Sequence, residues 1–321
     1  MNKEAILELC MDVRKGTSSV QGQTAKQRKD ELVEVFSHLM KDYDRNKVEI
    51  NEIIKENVNE VLKQKVGEAL SIIADISYVG HGEKKTFRVR NGKLKAEYVA
   101  LGSEIRRQKI YKGEVVSQPQ ALGGAVYAEL DDILAGRAEA FTEVIDEIAQ
   151  AILEDVFATV QKTFVTAMTN APSANKYTGA FSLAELRRVT NTIAAYGRPV
   201  IVGTAVGLSH VTSDAGFQAS MSDSMKDQFN RDGFIGVWEG KSIVQLPNTF
   251  TDETNTEWIL DNNLLYVIPV NADKPVKLVY EGDSVLLENQ DFDTGDITKK
   301  VLQKVGVNVL QAENLGLVTV Q

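Results

Sequence analysis

The sequence predicts an α+β fold, with helices and strands segregated along the chain rather than strictly alternating. Three observations predict it. Residues 1 to about 75 are helix-prone and densely charged, Asp131 to Met168 reads as one long amphipathic helix, and Val276 to Val320 reads as a set of strands.

The Asp131 to Met168 run carries the most information. Phe141, Val144, Ile145, Ile148, Ile152, Val156, Val160, Phe164 and Met168 fall at the three-and-four spacing that puts one stripe on one helix face. Glu139, Glu143, Asp146, Glu147, Glu154 and Asp155 lie between them and belong on a solvated face. No Pro or Gly interrupts the run after Gly136. At roughly 1.5 Å per residue the helix would be about 57 Å long, so it must cross a broad, flat protein or reach a neighbour. Asn170-Ala171-Pro172 ends it, because Pro172 supplies no amide hydrogen and disfavours helix at Ala171.

Three helices are expected before it. Ile6, Leu9, Cys10 and Val13 mark the first, which Gly16-Thr17-Ser18-Ser19 breaks. The second runs from about Ala25 to Tyr43 with Leu32, Val35, Phe36, Leu39 and Met40 on one side. The third carries Ile50, Ile53, Ile54, Val58, Val61, Leu62 and Val66. Their stripes are narrow, which suits an arm docked on another surface better than a domain of its own.

Between Lys84 and about Ser117 the pattern turns strand-like. Asn91-Gly92 separates Phe87 to Arg90 from Lys93 to Tyr98, the strongest short hairpin signal, and Lys112-Gly113 separates Glu104 to Tyr111 from Glu114 to Val116. Such a ribbon is marginal alone in water, so it should lie on another surface, its own or a neighbour's. Glu83 to Glu114 holds ten Lys or Arg against four Glu, a local charge of +6 in a chain of -9. Asp252 to Asp296 holds eleven acids against Lys274 and Lys277, or -9. A basic arm and an acidic body suit subunit docking. A solvated hairpin and a nucleic-acid-binding ribbon are the alternatives; the second has only Phe87, Tyr98 and Tyr111 to stack on bases.

Gly123-Gly124 leads into the long helix. After the long helix come a helix at Ala184 to Tyr196, a buried strand at Arg198 to Gly203 and a helix at Met221 to Phe229. Strands are expected at Phe234 to Trp238, Ser242 to Leu246, Glu257 to Leu260 and Leu264 to Val270, making a compact α/β unit. Val276 to Tyr280, Ser284 to Glu288, Val301 to Leu310 and Leu315 to Val320 complete the chain.

Composition narrows the function classes. A lone Cys10 excludes an intramolecular disulfide and fits a reducing compartment. No apolar run approaches the roughly 20 residues that span a bilayer. Met1-Asn2-Lys3-Glu4 turns acidic too early for a signal peptide, so a soluble cytoplasmic product is expected. The net charge of -9 argues against a whole-protein polyanion binder.

No chemistry-bearing constellation emerges. His38, His81 and His210 are the only histidines, and neither HExxH nor paired cysteines occur, so no metal or cofactor is expected. Ser209-His210 are merely adjacent, and no GxSxG elbow surrounds the serine. Gly240-Lys241-Ser242 lacks the first glycine of a phosphate loop, since Ile235 stands there, and reads as a turn between strands. Asp291 to Asp296 has Leu302 where a calcium loop needs its closing glutamate, so it reads as a hairpin turn. Asp131-Asp132 complement a helix start. An enzyme built from scattered Asp, Arg and Tyr has nothing to nominate its residues, and a tail or sheath protein would not need the long helix.

Taken in order, the charged helical region, the basic ribbon at Lys84 to Ser117, the helix at Asp131 to Met168, the α/β unit and the closing strands resemble the tailed-bacteriophage major capsid protein family. Its fold is shared with encapsulin shells and herpesvirus capsid floors. Gly236-Val237-Trp238-Glu239-Gly240-Lys241-Ser242-Ile243-Val244-Gln245-Leu246-Pro247 is similar to the paired strands of that family's A-domain. The resemblance covers roughly Ile72 to Gln321. It implies an N-terminal helical arm at 1–75, an E-loop hairpin at 76–122, a P-domain with its spine helix at 123–172, an A-domain at 173–271 and returning P-domain strands at 272–321.

It also implies a structural protein without catalysis or cofactor. Copies would assemble as hexamers and pentamers into an icosahedral head around double-stranded DNA, without sequence-specific contact and away from membranes. Assembly would take place in the bacterial host's cytoplasm, with a portal and with scaffold or decoration proteins as further partners. The E-loop residues expected at the subunit interface are Lys84, Lys85, Arg88, Arg90, Lys93, Lys95, Arg106, Arg107 and Lys109. An encapsulin-like nanocompartment is the alternative, though such shells usually lack a long charged helical N-terminus. Residues 1–75 have a scaffold-like composition and are expected to stay as a permanent arm. No lysine–asparagine cross-linking triple is matched, so no cross-link is expected. Reversing Arg88, Arg90, Lys93 and Lys95 to Glu is expected to block or misdirect assembly while the monomer still folds; normal particles from that variant would remove the docking role.

Overall fold

The structure is a computed structural model. It describes residues 3–15, 24–71, 73–90, 98, 101, 104, 107, 109–128, 138–226, 236–252, 254–270, 274–290 and 297–321.

The long helix α4 (Ala138–Thr169) is the axis of the molecule: 32 residues, or about 48 Å. The expected start at Asp131 lies outside the described residues, as do the side chains of Phe141, Val144 and Ile145. From Ile148 onward the stripe is buried as its spacing demands, and Leu153 and Phe157 widen it beyond one row. The helix closes at Pro172, with the Ala171 amide donating to the Met168 carbonyl at 3.0 Å.

Helices α1 (Lys3–Lys15), α2 (Ala25–Lys41) and α3 (Tyr43–Leu70) dock on this chain's own spine. Ile50, Ile53, Ile54, Val58, Val61, Leu62 and Val66 of α3 share one core with α4, joined by Ile6, Leu9 and Leu32. Thr24 and Gln27 form a reciprocal capping box at the start of α2. The Arg28 guanidinium meets Asp12 at 2.9 Å, both nearly buried, and ties α2 to α1.

Two sheets lie against the spine. The smaller has the order β1-β10-β11-β4, from β1 (Ala74–Val79), β10 (Val276–Gln290), β11 (Ile297–Val309) and β4 (Gln120–Ala128). The larger has the order β5-β12-β9-β6-β8-β7, from β5 (Lys176–Gly179), β6 (Arg198–Thr204), β7 (Val237–Trp238), β8 (Lys241–Leu246), β9 (Leu264–Val270) and β12 (Gly316–Val320). Strand periodicity separates two cores here. Leu264, Tyr266 and Ile268 of β9 point to the spine, while Leu265 and Val267 point to a second cluster. That cluster lies under α5 (Leu183–Ala194) and α6 (Ala205–Ser213), with Phe217 of α7 (Ala215–Ser220).

Several local expectations are corrected. Thr86–Arg90 (β2) pairs with Tyr111–Val116 (β3), a single strand, so Lys112-Gly113 is not a turn. Burial of Phe87 against Val279 and Leu310, with Val89 and Val115 beside it, sets this register. Lys93 to Glu97 lie outside the described residues. Gly123-Gly124, expected to lead into the long helix, sits inside β4: a Cβ on Gly123 would come within 2.9 Å of the Val301 carbonyl oxygen on the paired strand. Val276 to Glu288 is one strand with an irregularity between Glu281 and Val285, rather than two. Glu257 to Leu260 forms only an isolated bridge, Phe250 to Trp258. Finally, β12 joins β5 and β9, so residues 316–320 belong to the larger sheet instead of returning with 276–309.

Ile152, fully buried where α3, α4 and the sheets meet, is the sensitive position. Ile152→Ala is expected to cost about 2–5 kcal/mol in chemical denaturation of the full chain.

Candidate intersubunit surface

The base of the ribbon is fixed on its own chain. Phe87 is buried against the smaller sheet, and Lys112 reaches Glu313 at 2.7 Å. Arg88 and Glu114 are direct cross-strand partners 3.2 Å apart, both largely exposed, and the guanidinium lies 5.7 Å from the Tyr111 ring centroid. An exposed pair of this kind contributes about 1 kcal/mol at most and fixes register more than stability.

Beyond its base the arm offers charge and apolar surface together. Lys84, Lys85, Arg88, Arg107 and Lys109 are exposed. Arg90 stands on β2, though its side chain lies outside the described residues, as do Lys93, Lys95 and Arg106 altogether. Tyr98 and Leu101 are each 108 % exposed, followed by Ile110, Tyr111 and Val116. Leu101 and Ile110 escape a search for charged residues. Their sequence signal is an apolar residue in a polar ribbon without a core to enter.

The acidic side is weaker than its residue count. Asp252 accepts from the hydroxyls of Thr254 and Thr256 and from the amides of Thr256 and Glu257, which holds its carboxyl well below the usual range. Glu281 accepts from Lys304 and from the Gly82 amide, each at 2.9 Å, and is likewise held down. These carboxylates serve the chain's own turns and sheet. Glu257, Asp261 and Asp283 are exposed and remain as outward charge.

The motif-like fragments resolve into ordinary structure. Glu239 and Gly240, at φ 48° and 74°, make the two-residue turn between β7 and β8. Lys241 Nζ lies 4.8 Å from the Trp238 ring centroid, and Glu239 binds Arg187 at 2.6 Å. The Ser209 hydroxyl donates to the Val206 carbonyl at 2.6 Å, while His210 stacks on Phe181. Gln290 and Ile297 are register partners at the ends of β10 and β11, and the expected turn at 291–296 lies outside the described residues. Among the described residues no helix is long and apolar enough to cross a membrane, and no cluster of His, Cys, Asp and Glu could hold a metal.

A spine helix under two sheets, with a basic ribbon leaving one edge, is the fold of tailed-phage major capsid proteins. Solved structures bear this out. The chain is similar to the virus-like particle from Pyrococcus furiosus (TM-score 0.51, 12 % identity, 82 % of this chain and 98 % of that one). It is also similar to a structure titled "Capsid of empty GTA particle" (0.54, 12 %, 78 % and 89 %) and to Mycobacterium phage Che8 (0.51, 15 %, 74 % and 84 %). The family model described as "SPbeta prophage-derived putative capsid protein YonB" matches residues 5–319, and the chain belongs to that family. A Bacillus subtilis (strain 168) relative, the SPbeta prophage-derived uncharacterized protein YonB, is 24 % identical over 284 residues, covering 85 % of this chain and 84 % of that protein.

Asp252→Ala is expected to speed hydrogen exchange at the Thr256 and Glu257 amides. Because folding depresses this carboxyl, its contribution is present above the unfolded value of about 4 and lost as pH falls through the depressed folded one. Protection of those two amides in the parent protein should therefore decline on acidification below that range.

Proposed function

We propose that this chain is the major shell subunit of a phage head, assembling as hexamers and pentamers into an icosahedral particle around double-stranded DNA in the host bacterial cytoplasm. The observation that carries the reading is the ribbon, whose Tyr98 and Leu101 are fully exposed beside exposed basic side chains. Water is a poor final environment for such an arm, and a neighbouring subunit is a good one. Lys84, Lys85, Arg88, Arg90, Lys93, Lys95, Arg106, Arg107 and Lys109 would guide the approach to exposed carboxylates, and the apolar anchors would supply most of the affinity. The segments 1–75, 76–122, 123–172, 173–271 and 272–321 would act as N-arm, E-loop, spine-bearing P-domain, A-domain and closing strands. Within the last segment, β12 would serve the A-domain, because it pairs with β5 and β9.

A net charge of -9 suits a wall that surrounds DNA without gripping it. Entry of DNA calls for a portal at one vertex, and scaffold or decoration proteins would assist assembly. A nanocompartment enclosing protein is the second reading, favoured by likeness to the Pyrococcus furiosus virus-like particle over 98 % of that chain.

Negative-stain microscopy of the purified full chain, with co-expressed scaffold where one exists, decides. Closed shells or rings of five and six subunits are expected, with nuclease-protected DNA in particles made during infection. Enclosed protein in place of DNA would select the nanocompartment, and monomers under every condition would sink both readings. Tyr98→Ser with Leu101→Ser should abolish shells while changing monomer stability by no more than about 0.5 kcal/mol.

A further inference from the structure

The irregular point of β10 borders a cavity of about 360 Å³ between α3 and the smaller sheet. Gly282, Asp283 and Ser284 stand there opposite the single residue Gln303, so the strand bulges, and Gly282 takes φ 66°. Leu62 and Lys63 of α3 line one side of the cavity and Tyr78 another, while Tyr280 and Gln303 form its buried end.

That buried end holds an unanswered polar group. Tyr280 is 5 % exposed, and its hydroxyl has no hydrogen-bond partner. A dry, unpaired hydroxyl is costly, which points to a group supplied from outside the chain. Burial pushes this phenol up from its ordinary value, so it stays protonated and able to donate. Asn59, also in the lining, spends its Oδ1 on the Ser284 amide at 3.2 Å, which leaves its Nδ2 hydrogens as donors. Lys63 adds a cation: among the described residues no carboxylate pairs with it, and its Nζ lies 5.4 Å from the Tyr78 ring centroid. His81 and Asp283 complete the titratable lining; both are exposed, and His81 Nδ1 lies 3.7 Å from Glu281. The apolar side is aromatic. Tyr78 and Tyr280 stack at 5.5 Å between centroids, and Tyr78 is 52 % exposed, so the stack ends in an open ring.

We propose that this cavity binds a small aromatic carboxylate, its ring laid against Tyr78 and Leu62 and its carboxylate directed to the donors of Tyr280, Asn59 and Lys63. A set of donors with one unpaired cation selects an anion with acceptor oxygens. The open end of the tyrosine stack selects a planar ring over an aliphatic one. The volume lies near the lower end for small-molecule sites, which suits one or two rings. Every lining residue belongs to one chain, so the site needs no neighbour and does not rest on the shell reading.

Calorimetric titration of the purified full chain with benzoate and with 2-naphthoate tests it. Saturable binding is expected, with dissociation constants of about 0.1–1 mM. Cyclohexanecarboxylate, which lacks the aromatic ring, and benzyl alcohol, which lacks the charge, should each bind about tenfold more weakly. Tyr280→Phe removes only the hydroxyl and should weaken benzoate about tenfold. Without the acid its denaturation midpoint should be no lower than the parent's, because no hydrogen bond is lost. Lys63→Met should weaken benzoate about tenfold and remove most of the salt dependence of binding. Absence of saturable binding by either acid overturns the proposal, as do variants that bind like the parent or cyclohexanecarboxylate binding as tightly as benzoate. Lys63→Met, at an exposed and unpaired position, decides the matter should Tyr280→Phe fail to fold.

Discussion

Burial of the spine helix on both sides is the constraint on which the rest of this structure depends. Its stripe from Ile148 to Met168, widened by Leu153 and Phe157, needs cover along much of its length and on more than one flank. The chain answers with α3 and two sheets, and α3 itself meets the smaller sheet through Asn51 and Asn59. Phe164 meets Tyr266 edge-on at 4.7 Å, and Gln161 exchanges hydrogen bonds with Asp261, so the larger sheet is held by shape and by polar contact. The result is one core around the spine and a second behind the larger sheet, and the exposed side chains of the ribbon join neither.

That division separates two kinds of energetics. Around the two cores apolar burial dominates, and several charges are committed within the chain: Arg28 to Asp12, Glu281 to Lys304, Asp252 to its own turn. On the ribbon, side chains stay exposed and paired charges such as Arg88 and Glu114 contribute little to folding. A surface of that kind costs the monomer little and is available to a partner. The acidic body guides through fewer carboxylates than the sequence counts, because folding consumes some of them.

The polar underside of α3 has its own logic. Asn59 accepts from the Ser284 amide at the irregular point of β10, and Asn51 bridges Glu288 and Lys299. These amides satisfy backbone and charge where the hairpin passes beneath the helix, since an unpartnered group there would be costly.

The sequence by itself determined the elements whose signal is periodic. The stripes of α3 and α4 follow from spacing, because a helix repeats every 3.6 residues, and the buried strands β6 and β9 follow from short unbroken apolar runs. The basic arm was equally legible, since charge is written in composition. Tertiary structure alone decided what meets what. It made Gly123-Gly124 a strand, joined β2 to β3, moved β12 to the larger sheet and spent part of the acidic charge internally. It also brought Asn51 to Glu288 and Lys299, across separations of 237 and 248 residues. Local patterns record how each segment meets water; pairings between distant segments are chosen by packing, and packing leaves no period in the chain.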